Sequence, residues 1–153
     1  MFTKYTKTLF ILIGIQASGK TTFAHKFLPD YTYISLDELH TRNKEQTALE
    51  TALKTGFNCV VDNTNPSRQE RKKYINWARF NHYKTVGIYF RSSIAQSRQR
   101  NARRAGKAQV PLKAILATAK RLELPSLQEG FDELYYIKIE NSNFVISKWD
   151  ETL

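Results

Sequence analysis

The 153-residue chain is predicted to fold as an α/β protein in three layers, a mostly parallel sheet with helices on both faces, forming a single domain over residues 1–153. Three observations predict this. Short apolar runs recur between longer amphipathic stretches, the alternation expected when parallel strands are joined by helical crossovers. The composition, 41% hydrophobic and 25% charged with 6 Gly and 4 Pro, is that of a chain with a buried core and not of a disordered or fibrous one. The first apolar run passes directly through a glycine-containing turn into a helix-forming stretch.

Strands are expected at Thr8 to Ile13, Tyr31 to Ser35, Asn58 to Val61, Thr85 to Phe90 and Leu134 to Ile139. A first helix runs from Lys20 to Leu28, where Pro29 stops it, and a second from Lys44 to Lys54, where Gly56 stops it. Ser67 with Glu70 three residues later is a capping-box pattern after Pro66, opening a helix whose Tyr74, Trp77 and Ala78 share a face. Ser93 with Gln96 repeats the device ahead of Arg98, and a last helix starts near Pro111 and ends before Pro125. The stretch Asn143 to Trp149 reads as an edge strand or as a tail.

Charge divides the chain. Between Arg68 and Arg121 there are fifteen Lys or Arg and one acid, Glu70, a net of +14, whereas the other 99 residues sum to −4. Such segregation suits a polyanionic partner, although a solvated set of helical faces has the same composition. The single cysteine, Cys59, excludes an internal disulfide and a cysteine zinc site, so a reducing, cytoplasmic setting is expected. The longest apolar run, Leu9 to Ile15, falls far short of the ~20 residues that span a bilayer.

The most informative residues are Gly14-Ile15-Gln16-Ala17-Ser18-Gly19-Lys20-Thr21, a complete G-x-x-x-x-G-K-[ST] pattern between the first strand and the first helix, followed by Thr22. Glycines let successive N–H groups turn toward phosphate oxygens, and the helix N-terminus adds its partial positive charge. Lys20 supplies a cation to the β- and γ-phosphates, and Thr21 offers a hydroxyl to Mg²⁺. ATP and Mg²⁺ are therefore the expected cofactors, and residues 14 and 16–22 the expected nucleotide contacts. Cys59-Val60-Val61-Asp62 is an apolar strand ending in a carboxylate at the edge where ligands bind in open α/β sheets. Asp62 there could hold Mg²⁺, directly or through water, or could cap the following turn. Asp37 reaches the same edge after the second strand, as a base for an attacking hydroxyl or as a helix cap. Asp62, Asn63, Asn65 and His40, which follows Asp37 by three, are the candidate substrate contacts. Arg98, Arg100, Arg103 and Arg104 are expected in one helix, flanked by Gly106 and Pro111, forming a lid that closes on ATP. The fold expected from these motifs is that of a P-loop NTPase, adenylate-kinase-like, with an arginine lid.

These residues resemble the kinase domain of polynucleotide 5′-kinases, from Leu9 to about Glu140. The resemblance rests on the phosphate loop and on Ile34-Ser35-Leu36-Asp37, Val60-Val61-Asp62-Asn63-Thr64-Asn65-Pro66, Arg100-Asn101-Ala102-Arg103-Arg104 and Pro125-Ser126-Leu127-Gln128-Glu129-Gly130-Phe131-Asp132-Glu133. It implies transfer of the γ-phosphoryl group of ATP to a 5′-hydroxyl end of DNA or RNA. Asp37 would be the general base, Lys20 and Arg100 would stabilise the transition state, and Arg104 would help hold the nucleotide. Two positions depart from the family: Leu36 where an arginine is frequent, and His40 where the phage type has a second substrate-contacting arginine. No Asp-x-Asp motif of the family's phosphatase partner occurs, so kinase activity alone is expected, with any phosphatase or ligase supplied by a partner chain. A small-metabolite or nucleoside kinase and an ATP-gated nucleic-acid binder without transfer are the competing readings of the same motifs.

Overall fold

The computed structural model describes residues 5–152; residues 1–4 and 153, which end the expected domain and the 141–153 stretch, lie outside it. Six strands form one sheet in the order β2 (Thr32–Ile34), β3 (Cys59–Asp62), β1 (Thr8–Ile13), β4 (Lys84–Phe90), β5 (Glu133–Glu140) and β6 (Asn143–Lys148). The first five are parallel and β6 is antiparallel to β5, which resolves the 143–149 ambiguity in favour of an edge strand. β1 is central and wholly buried because both its faces are covered. Its odd residues, Leu9, Ile11 and Ile13, pack with Leu49 and Leu53 of α3 (Arg42–Thr55) and Tyr74, Ile75 and Ala78 of α4 (Arg68–Phe80). Its even residues, Phe10 and Leu12, pack with Phe23 and Ala24 of α1 (Lys20–Phe27). Period-2 alternation thus assigns the two cores to the two helical layers.

Local chemistry sets the element ends. Both halves of the Ser67–Glu70 capping box form. Ser93 accepts from the Gln96 backbone at the start of α5 (Ile94–Ala102), but Gln96 turns its side-chain oxygen to Arg100, so only half of that device is present. Gly56 ends α3 in the left-handed conformation, φ 81°. α6 (Leu112–Arg121) starts after Pro111, as proline in the first turn allows. A short helix, α2 (Leu36–Leu39), follows β2; its cap is Ser35, not Asp37, which sits inside the first turn. The arginine helix is shorter than expected. α5 stops at Ala102, so Arg103 is its C-cap and Arg104 lies in the loop beyond.

Candidate active site

The phosphate loop leaves β1 at Gly14 and enters α1 at Lys20. Gly14 (φ 155°), Ala17 (φ 59°) and Gly19 (φ 100°) take the positive-φ conformations that turn the backbone inward. The loop is held from two sides: the Gly14 N–H donates to Thr64 O at 3.0 Å and the Ile15 N–H to Ser92 Oγ at 3.0 Å. Gly19 also lies against the β5–β6 hairpin, where a Cβ would come within 2.9 Å of Ile139 and 3.1 Å of Phe144.

Lys20 is 7% exposed and donates to Gly14 O at 2.9 Å and Ile15 O at 2.7 Å. Burial lowers its pKa to about 8, Asp62 and Asp37 pulling the other way and Arg104 reinforcing the drop. Thr21 Oγ1 donates to Asp62 Oδ2 at 2.7 Å, and the Tyr33 hydroxyl donates to the same oxygen at 2.5 Å. A hydroxyl and a carboxylate are hard oxygen donors at the tip of β3, a set that fits Mg²⁺ completed by phosphate and water oxygens.

These groups open into one cleft of about 810 Å³, to which Gln16, Lys20, Thr21, Thr22, Asp37, Asp62, Asn63, Asn65 and Arg104 contribute. Asp37 is exposed there, one side formed by the segments after β2 and the other by those after β4. The two asparagines contribute with their amides already committed. Asn63 Oδ1 accepts from the Leu36 N–H at 2.9 Å, and its Nδ2 donates to Glu45 Oε2 at 2.5 Å, so Asn63 ties α2 to β3. Asn65 is buried at φ 44°, and its Nδ2 donates to Leu12 O at 2.8 Å. Both therefore act as braces of the cleft floor.

Six expected site residues stand outside the cleft lining: Gly14, Ala17, Ser18 and Gly19 of the phosphate loop, together with His40 and Arg100. His40 caps the C-terminus of α2 at φ 70° and is exposed. Arg100 lies against the phosphate loop, its Nη1 donating to Ala17 O at 3.1 Å and its Nη2 to Gln96 Oε1 at 3.4 Å. Arg104 does line the cleft, donating to Ala108 O at 3.3 Å. Tyr33, Arg42 and Lys107 belong to the site and escaped the motif reading, because each reaches it from an element whose place depends on tertiary packing. The Arg42–Glu45 i,i+3 spacing was the one local signal for any of them.

A parallel sheet with a phosphate loop at its central strand, and a threonine and an aspartate joined beside it, defines a P-loop nucleotide-binding protein. The family model described as an AAA domain matches residues 9–125, and the chain belongs to that family. It is similar to the bifunctional polynucleotide phosphatase/kinase of Schizosaccharomyces pombe, 32% identical over 126 residues, 79% of this chain. The chain spans about a third of that relative's length, 31%. Among solved structures, Chaetomium thermophilum Kti12 in complex with ADP-AlF3 has a TM-score of 0.65 at 19% identity, covering 85% of this chain and 88% of that one. A gluconokinase from Sinorhizobium meliloti 1021 has a TM-score of 0.60 at 18% identity, covering 86% and 82%. Both structures share the fold. Among the described residues no helix is long and apolar enough to cross a membrane.

Proposed function

We propose that the chain is an ATP- and Mg²⁺-dependent kinase that phosphorylates 5′-hydroxyl ends of DNA or RNA. The observation that carries this reading is the cleft itself, which holds Lys20, Thr21 and Asp62 together with a separate exposed carboxylate, Asp37. A nucleotide-binding switch without transfer has no need of that second acid. The acceptor hydroxyl gives its proton to Asp37 as its oxygen bonds the γ-phosphorus, and the bond from that phosphorus to the β-bridging oxygen breaks to release ADP. Lys20 and Arg104 balance the charge on the transferred group, and Arg100 holds the loop through Ala17 O. Mg²⁺, when bound, neutralises the β- and γ-oxygens; Thr21 and Asp62 would hold it. The similarity to a polynucleotide phosphatase/kinase supports the nucleic-acid acceptor, as do the basic residues around α5 and α6.

The test is transfer of label from γ-labelled ATP to matched oligonucleotides ending in 5′-OH or 5′-phosphate, as DNA and as RNA, with wild type and Asp37→Asn in parallel. Label on 5′-OH ends alone, reduced at least ~100-fold in Asp37→Asn, is expected for loss of a general base. Label on a small alcohol and on no oligonucleotide would replace the acceptor by a metabolite.

A further inference from the structure

Asp62 ends β3 buried, at 5% exposed, and its two carboxylate oxygens meet different surroundings. Oδ2 accepts from two hydroxyls, Thr21 at 2.7 Å and Tyr33 at 2.5 Å, whereas Oδ1 accepts from no donor among the described residues. A carboxylate oxygen has two lone-pair sites, so Oδ2 is full. The proton of Thr21 is spent on Asp62, which leaves the lone pairs of Thr21 Oγ1 for a cation. Thr21 comes from the first turn of α1 and Tyr33 from the edge strand β2, so three elements fix this one carboxylate. The Tyr33 ring is itself held against the His25 ring, their centroids 5.0 Å apart at 34°. The other acids of the cleft, Asp37 and Glu70, draw on neither hydroxyl; Glu70 is engaged by Ser67 and Arg121.

A filled Oδ2 restricts how Asp62 can meet a divalent ion. Ca²⁺ takes roughly six to eight oxygens in flexible geometry and readily binds a carboxylate through both of its oxygens, whereas Mg²⁺ is smaller, demands near-ideal octahedral geometry and keeps several waters. Binding through both oxygens of Asp62 has to break the Tyr33 or the Thr21 bond. Binding through Oδ1, directly or by way of a water, breaks neither. Thr21 has its own lone pairs to offer the ion, so the group that does nothing there except occupy the carboxylate is the Tyr33 hydroxyl. We infer that Tyr33 is a positioning residue that makes the site selective for Mg²⁺ over Ca²⁺ by closing the second oxygen of Asp62. This rests on the metal part of the proposed function and is independent of the acceptor.

The test is the affinity for ADP, measured by calorimetry with Mg²⁺, with Ca²⁺ and in EDTA, for wild type and for Tyr33→Phe, which keeps the ring and removes only the hydroxyl. Thermal melts of both proteins establish folding. In wild type, Mg²⁺ should strengthen ADP binding more than Ca²⁺ does. Tyr33→Phe should shrink that Mg²⁺/Ca²⁺ ratio by roughly tenfold, the lower end of what outer-shell partners contribute to metal affinity. The change should be confined to the samples that contain metal. Absence of an ion preference in wild type, an unaltered ratio in Tyr33→Phe, or an equal change in EDTA overturns the assignment. ADP binding indifferent to both ions would overturn the metal part of the proposed function along with it. A Tyr33-dependent ion preference in a chain that transfers label to no acceptor would overturn the kinase reading and leave this assignment standing.

Discussion

Lys20 shows how one residue carries opposed demands. Burial disfavours its charge, and the drop to about 8 from the ordinary lysine value of 10.5 means that the folded chain sheds this proton before the unfolded chain does. From this group alone, stability of the nucleotide-free protein therefore rises with pH between about 8 and 10.5, because the unfolded state binds more protons there. Nucleotide binding runs the other way, since phosphate needs the charged form. Nucleotide affinity is expected to weaken as pH passes through about 8, with proton uptake on binding near that pH, measurable by calorimetry in buffers of different ionisation enthalpy. A pH-independent affinity between 7 and 9.5 would show that Lys20 stays charged. Cys59 is the contrasting case: burial pushes its thiol up to about 11, so it is an inert core residue.

Among the elements, the Pro-x-Leu-x-Glu-Gly-Phe stretch, one of the more specific parts of the family resemblance, proves to be scaffold. Glu129 forms a bidentate pair with the fully buried Arg71, at 2.8 and 3.0 Å, and Arg71 Nη1 donates to Asn65 O and Pro66 O at 3.0 Å. Phe131 packs so closely that a Cβ on Gly87 would meet it at 2.8 Å. Glu129→Ala leaves a buried arginine uncompensated and is expected to cost about 3–5 kcal/mol of unfolding free energy in urea titration. A loss below ~1 kcal/mol would mean that the pair is dispensable to the cleft floor. The arginine lid is likewise more built than a hinged flap. Asn101, 7% exposed, donates to Val110 O at 2.6 Å and accepts from the Val110 N–H at 2.9 Å, closing the loop that carries Arg104 and Lys107. Asn101→Ala removes both bonds, so amides 103–110 should exchange faster, the β1 amides should be unaffected, and nucleotide affinity should fall roughly tenfold if about 1.4 kcal/mol of lid ordering is lost. Unaltered exchange in 103–110 would show that other contacts hold the lid.

Over the whole molecule, folding sorts the charges that composition only counts. Of the fifteen cations between Arg68 and Arg121, five pair with carboxylates: Arg68, Arg71, Lys73, Lys84 and Arg121. The other ten have no carboxylate within 4.0 Å among the described residues, and eight of these lie between Arg91 and Lys120, around α5 and α6. Binding of a single-stranded oligonucleotide should therefore weaken with salt, with a log–log slope of about −0.7 per phosphate contacted. A slope near zero in a titration from low to high salt would leave these cations as a solvated face. The sheet and its crossovers were legible in the sequence because each depends on local signals: period-2 runs, a capping box, proline and glycine stops. The phosphate loop was legible because its work is done by backbone that only certain residues allow. Asp37 and Asp62 could be placed at the right sheet edge, but not distinguished from caps, until Ser35 took the cap and Thr21 met Asp62. The two asparagines of the Asp-Asn-Thr-Asn-Pro stretch became braces, and Tyr33, Arg42 and Lys107 became part of the site, only in three dimensions. Sequence alone determined the fold class and the phosphate loop, since both follow from neighbours along the chain. Tertiary structure decided which charges are paired, which amides are committed and which side chains share the cleft, since each depends on partners tens of residues away.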